Sequence, residues 1–218
     1  MKRSRPLEAH ILYAIIDRDV CAARQIDAAD AASACIAAGV PLLQLRQKSG
    51  SSGALFALAA VVVRRAEGTP TQVIVNDRAD LARAAGAQGV HLGQDDLGPA
   101  DVRAILGPDA IVGVSTHTRE QIDRALDSAA SYVAVGPVFA TATKDTGYDA
   151  RGLDLVRYAA GRGKPVVAIG GITLSRAPEV IAAGASAVAV ITDLLVERDL
   201  EQRVRAFAHA LPPQVFKV

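Results

Sequence analysis

Three groups of residues in this 218-residue chain could do chemistry on phosphates. Gln44-Leu45-Arg46-Gln47-Lys48 carries two cations two positions apart at the end of an apolar stretch. Thr141-Ala142-Thr143-Lys144 follows another apolar stretch and offers two hydroxyls and a mobile cation, a set suited to phosphate oxygens. Asp77 and Asp96, nineteen positions apart, each follow a short apolar run and could share a hard divalent ion. Magnesium commonly takes one or two carboxylates and completes its shell with phosphate oxygens and water, so a diphosphate with Mg2+ accounts for the cations and the carboxylates together. Spacing alone leaves other readings open: ion pairing to Arg78 or helix capping for the aspartates, and a solvated rim for Arg46 and Lys48. A second phosphate site is suggested by Gly170-Gly171, which allows close backbone approach, and by Ile191-Thr192, where Thr192 or Asp193 could begin a short helix favouring an anion. The double glycine also suits a plain tight turn. His91 reads as a core or supporting histidine, and His117 either orients a ligand or Ser115, or is structural. We find no Ser-His-Asp motif, no histidine pair at helical spacing and no cofactor fingerprint, which suits a reaction needing little proton transfer.

These groups fall at the ends of a recurring element. Short apolar strand candidates lie at 12–16, 42–46, 72–76, 89–92, 111–115, 132–138, 165–170 and 187–192. Their lack of charge suits parallel strands buried on both faces. Helix-like segments separate them: Thr118-Arg119-Glu120-Gln121 has a capping-box pattern, Pro99 suits a first turn, and Leu200, Val204, Phe207 and Leu211 mark a final amphipathic helix. Every second strand has a similar lead-in, Ile36-Ala37-Ala38-Gly39, Arg83-Ala84-Ala85-Gly86, Ser128-Ala129-Ala130 and Ile181-Ala182-Ala183-Gly184. The spacing between lead-ins accommodates a strand, helix, strand, helix unit, and four such units make a closed (β/α)8 barrel, the TIM-barrel class of α/β fold. An open doubly wound sheet is the alternative, but G-x-G-x-x-G after the first strand is absent. The expectation is a single domain over 1–218, with a basic arm at 1–10 and a loose tail at 212–218. In such barrels the site sits at the C-terminal strand ends, where the polar residues collect.

Composition narrows the partners. Hydrophobic residues are 50% of the chain and aromatics only 4%, so the core must be built from Ala, Val, Leu and Ile. A formal net charge of +1 offers no global field for nucleic acid or membrane, so anion recognition must be local. The longest apolar run, Ala54 to Val63, is too short to span a bilayer. The basic start lacks an apolar h-region, and Cys21 and Cys35 form no metal-binding pattern. We expect a cytoplasmic protein acting on small molecules, with a homo-oligomer left open.

The ordered set Q-L-R-x-K, N-D-R-x-D-L-A, G-V-H-L-G-Q-D-D-L, G-V-S-T-H, G-P-V-F-x-T-x-T-K, A-I-G-G-I and A-V-I-T, spanning about residues 12 to 195, resembles the thiamine-phosphate synthase family. The resemblance implies a transferase on a (β/α)8 barrel that joins a hydroxymethylpyrimidine diphosphate to a hydroxyethylthiazole phosphate, releasing diphosphate. By motif it implies Gln44, Leu45, Arg46, Gln47, Lys48, Asn76, Ser115 and Lys144 as the pyrimidine diphosphate site, with Arg46, Lys48, Ser115 and Lys144 acting in catalysis. It implies Asp77 and Asp96 as magnesium ligands, and Thr141, Ala142, Thr143, Gly171, Ile191 and Thr192 as the thiazole phosphate site. Gln47 stands where the family usually has glutamate, Ala142 where proline is common, and Asp145 where a second lysine often follows. The rival readings are a thiazole tautomerase on the same barrel, which needs no diphosphate set, and a silent thiazole phosphate sensor, which would have eroded charges at the second to fourth strands. Keeping Arg46, Lys48, Asp77, Asp96 and Lys144 argues against both.

Overall fold

The computed structural model describes residues 7–8, 12–141, 147–196, 199–211 and 215–216. Eight parallel strands close on themselves: β1 (Leu12–Asp17), β2 (Leu42–Arg46), β3 (Gln72–Asn76), β4 (Gly89–Leu92), β5 (Ile111–Thr116), β6 (Tyr132–Val135), β7 (Val166–Ile169) and β8 (Ala187–Val190). β8 pairs back onto β1 through Leu12↔Val188 and Tyr13↔Ala189, so the barrel has no open edge. The expected (β/α)8 fold is therefore observed. The first five strands start where the apolar pattern starts. The last three end earlier than the pattern suggests, at Val135, Ile169 and Val190, and each stop has a local cause. Pro137 lacks an N–H for the ladder, Gly170 turns to φ +100°, and Ile191 caps a 3-10 turn at Thr192–Leu195.

The outer layer is α1 (Arg18–Ala23), α2 (Ala28–Ala37), α3 (Ser52–Ala66), α4 (Ala79–Ala85), α5 (Pro99–Leu106), α6 (Arg119–Asp127), α7 (Gly152–Ala159), α8 (Ala177–Ala182) and α9 (Leu200–Ala210). The recurring lead-ins are helix ends: Gly39, Gly86 and Gly184 have φ between +74° and +103°, where glycine avoids the Cβ penalty. At α6, Thr118 accepts the Gln121 N–H at 3.3 Å, but Gln121 Oε1 takes the N–H of His117 at 2.6 Å, one residue earlier than a standard capping box. Leu200, Val204, Phe207 and Leu211 all face the core, as expected. Residues 7–8 and 215–216 pair as a short antiparallel ribbon, joining the arm to the tail. Both cysteines are buried free thiols, pushed up by burial to about 11 for Cys21 and about 12 for Cys35, so they stay protonated at neutral pH. Among the described residues no helix is long and apolar enough to cross a membrane.

Two-residue alternation decides which side chains enter the barrel. On β2, Gln44 and Arg46 border the central cavity while Leu45 packs in the hydrophobic core. Room for a large ring inside comes from β5, where a Cβ on Gly113 would lie 2.1 Å from Tyr132 Cζ. A glycine at that register lets the Tyr132 ring occupy the space across from it.

Candidate active site

The end of β1 anchors the end of β2. Asp17 is 1% exposed; its Oδ1 accepts the N–H groups of Asp19 and Val20, capping α1, and its Oδ2 pairs with the Arg46 guanidinium. Arg46 is thus held in one direction along the cavity wall, with only 8% of its surface exposed. Asp19 does the same for the loop after β2: its carboxylate accepts the Lys48 and Ser49 N–H groups at 3.0 and 3.1 Å, and also the Ser49 hydroxyl. Those bonds, the Ser49 hydroxyl foremost, hold the Asp19 carboxyl below its usual value. Gln47 is tied outward, accepting from Arg18 and donating to the Ser51 carbonyl at 3.0 Å. Of the expected run, Gln44 and Arg46 line the cavity, and Leu45, Gln47 and Lys48 do not.

The β3 and β4 ends bring the two aspartates together. Asp77 sits at φ +63°, in a three-residue turn closed by the Arg78 N–H on the Asn76 carbonyl at 2.8 Å. A left-handed aspartate is an uncommon conformation. Lys48 Nζ lies 2.5 Å from Asp77 Oδ2. Asp96 Oδ2 accepts the Gly93 N–H at 2.6 Å. Partial burial pushes the Asp96 carboxyl up, the Gly93 amide opposes this, and the charge of Asp77 and a hydrogen bond with it push it further up. Two carboxylates this close, one already sharing an ammonium, form an all-oxygen donor set suited to a hard cation, so the residues present fit Mg2+. No group of three or more His, Cys, Asp or Glu that could hold a metal occurs among the described residues. Arg78 pairs with Asp80.

Deeper in the barrel the polar groups are amides, hydroxyls and an imidazole. Asn76 and Ser115 are nearly buried and line the cavity. Ser115 Oγ lies 2.9 Å from His91 Nε2, and His91 Nδ1 lies 2.9 Å from the Tyr132 hydroxyl. His91 is therefore the supporting histidine that its strand position suggested, and it serves Ser115. His117 instead contacts the Gly136 carbonyl at 2.5 Å and stacks on Tyr148 with ring centroids 4.7 Å apart.

On the other side, the β6 and β7 ends are interleaved. Val138 and Phe139 N–H groups donate to the Ile169 and Gly170 carbonyls. A Cβ on Gly171 (φ +62°) would meet the Ala140 carbonyl oxygen at 2.6 Å and Phe139 Cβ at 2.8 Å, so glycine is required by a close approach as well as by a turn. Thr141, Gly171, Ile191 and Thr192 all border the same cavity as Gln44 and Ser115. Asp193 is structural, accepting the Leu174 N–H at 2.8 Å and pairing with Arg203. Ala142, Thr143, Lys144 and Asp145 lie outside the described residues. Sequence reasoning missed Asp17, Asp19, Tyr13 and Tyr132. The strand-end rule would have found Asp17, which closes the first strand as Arg46 closes the second.

Functional groups drawn from the C-terminal ends of β1 to β8 around one cavity define a (β/α)8-barrel enzyme. The thiamine monophosphate synthase family model matches residues 12–194, and the chain belongs to that family, one of transferases. A thiamine-phosphate synthase of Koribacter versatilis is 45% identical over 204 residues, 92% of this chain and 95% of the relative. Another, of Caldicellulosiruptor saccharolyticus, is 39% identical over 173 residues, 79% and 78% of the two chains. A thiamine phosphate pyrophosphorylase structure from Pyrococcus furiosus aligns with a TM-score of 0.80 at 26% identity, covering 92% of this chain and 96% of that one.

Proposed function

We propose that the chain joins 4-amino-2-methyl-5-(diphosphooxymethyl)pyrimidine to 4-methyl-5-(2-phosphooxyethyl)thiazole, giving thiamine phosphate and diphosphate. The observation that carries this reading is the charged end of the barrel: Arg46, fixed by Asp17, borders a cavity whose other side is the glycine loop of β7, and the Lys48–Asp77 pair lies just past the ends of β2 and β3. A tautomerase would need no such charged rim. Asp77 and Asp96 would hold Mg2+, which supplies charge neutralisation to the diphosphate when bound.

The reaction is dissociative. The C–O bond to the diphosphate breaks with its electron pair leaving on oxygen, the pyrimidine methylene becomes a carbocation, and the thiazole nitrogen attacks it. Arg46 and Lys48, with Lys144, stabilise the negative charge that gathers on the departing group. Lys48 gives up its contact with Asp77 to do so. Gln44, Asn76 and Ser115 orient the pyrimidine, while Thr141, Gly171, Ile191 and Thr192 place the thiazole phosphate, so that positioning replaces an enzyme nucleophile. The substrates are small molecules met in the cytoplasm.

The test is to incubate the purified protein with both phosphorylated substrates, with and without Mg2+, and to follow both products. Equal, magnesium-dependent formation of thiamine phosphate and diphosphate is expected. Formation of neither, with protein and substrates intact, refutes the reading; diphosphate without thiamine phosphate refutes the thiazole half of it.

A further inference from the structure

A chain of hydrogen bonds runs through the barrel from β2 to β5, made of Gln44, Tyr13, Tyr132, His91 and Ser115. Gln44 Nε2 donates to the Tyr13 hydroxyl at 2.9 Å, and the Tyr13 and Tyr132 hydroxyls are 3.0 Å apart. The chain continues through His91 to Ser115 Oγ in two steps of 2.9 Å. Every member is buried; Gln44 is 2% exposed. Burial pushes both phenols far above their ordinary value, so each keeps its single proton.

That single proton gives the chain a direction. An amide nitrogen only donates, so Tyr13 accepts from Gln44, and the arrangement that leaves no phenol proton unused sends that of Tyr13 to Tyr132. Tyr132 passes its proton toward His91 Nδ1. With Nδ1 accepting, the tautomer of His91 that completes the chain is the one with its hydrogen on Nε2, donating to Ser115 Oγ. The Ser115 hydroxyl hydrogen is left to point into the cavity. At the other end, Gln44 Oε1 has no partner among the described residues, though its side chain is buried and borders the same cavity. Such an atom is costly unless an occupant donates to it.

We propose that Tyr13, Tyr132 and His91 are positioning residues that fix Ser115 as a hydrogen-bond donor and Gln44 as an acceptor toward an aminopyrimidine. This rests on the reading of the cavity as the pyrimidine site. A 4-aminopyrimidine carries the opposite pair, an amino N–H on one side and a ring nitrogen acceptor across the ring. The 4-oxo analogue presents an acceptor where the amino group was, so two oxygens would face each other at Gln44. The chain thereby selects the amino form without placing a charge in the barrel.

A cycle of variants tests it, with initial rates measured at varied concentrations of each substrate. Tyr132→Phe keeps the ring that stacks on His91 and removes one link. It is expected to raise KM for the pyrimidine diphosphate about tenfold, as for one hydrogen bond to a buried group, with kcat and the KM for the thiazole phosphate within about twofold of wild type. Tyr13→Phe cuts the chain one link earlier and is expected to do the same. Ser115→Ala removes the receiving end, so Tyr132→Phe added to it should raise KM no further. Multiplying effects in the double variant, or equal losses for both substrates, would reduce the tyrosines to packing and overturn the proposal. Wild-type turnover separates the two levels: no thiamine phosphate from wild type removes the site reading and this inference with it, whereas normal wild-type turnover with an additive cycle removes the inference alone.

Discussion

Replacing Asp17 separates two tasks held by one carboxylate, the pairing with Arg46 and the cap of α1. Removing one partner of a buried ion pair costs about 3–5 kcal/mol, because the other charge is left buried and uncompensated. Arg46 borders the cavity and can draw water to itself, so the lower end, about 3 kcal/mol, applies. Loss of the cap adds about 1 kcal/mol. Asparagine caps about as well as aspartate but carries no charge, so Asp17→Asn should lose about 3 kcal/mol and Asp17→Ala about 4. In a domain of this size each kcal/mol moves Tm by about 2–4 °C, giving drops of about 6–12 °C and 8–16 °C. Urea unfolding of the three proteins reads these values directly. Binding of inorganic diphosphate should weaken in both variants, since both release the guanidinium. Wild-type stability in Asp17→Asn would refute the buried-pair argument, and equal stability of the two variants would refute the capping one.

Other expectations follow from the same geometry. Gly171→Ala must push a Cβ into the Ala140 carbonyl at a positive φ, so KM for the thiazole phosphate should rise by about tenfold or more while diphosphate binding at the opposite rim is kept; unchanged thiazole kinetics would show the loop to be pliable. Asp96 has a raised folded-state pKa, so its protonated form favours the fold: without Mg2+, stability should fall as pH rises from the ordinary carboxylate range through the raised value. Asp96→Asn should flatten that slope and Mg2+ should reverse it, and unfolding at a series of pH values, with and without the ion, is the check. Lys144→Ala, argued from sequence, should lower kcat about 10²-fold, as for loss of a preorganised charge, and wild-type turnover would make Lys144 a bystander.

The fold was legible because parallel strands buried on both faces read as uncharged β-branched runs, and because glycines at 39, 86 and 184 repeat at helix ends. The strand stop at β6 was harder, since Val138 remains apolar and its N–H still donates to the Ile169 carbonyl after the regular strand has ended. The charged rim was legible too, since cations and carboxylates at strand ends stand out from such runs. The interior chain was not. In a strand buried on both faces, Tyr13 and Tyr132 look like ordinary core aromatics, and no pattern in one strand says which neighbours its hydroxyl will meet three or four strands away. Gly113 was a usable clue, because a glycine inside an apolar strand marks a close approach, here that of the Tyr132 ring.

The two polar systems divide the cavity by dielectric environment. Full charges, Arg46 with Asp17 and Lys48 with Asp77 and Asp96, stand at the strand ends, where water limits their desolvation and a diphosphate can replace one charge partner with another. Inside the barrel the groups are an amide, two phenols, an imidazole and a hydroxyl, with no carboxylate, ammonium or guanidinium in the chain. A neutral chain avoids the cost of a buried charge and still orders its end groups, because each phenol has one proton to give. On the proposed reading, an anionic leaving group and a neutral heteroaromatic ring therefore have different places to bind in one barrel. Moving a charge inward, as in Gln44→Glu, should weaken pyrimidine binding far more than it alters the rim; if a buried glutamate there bound the ring as well as glutamine does, the division by dielectric would be wrong.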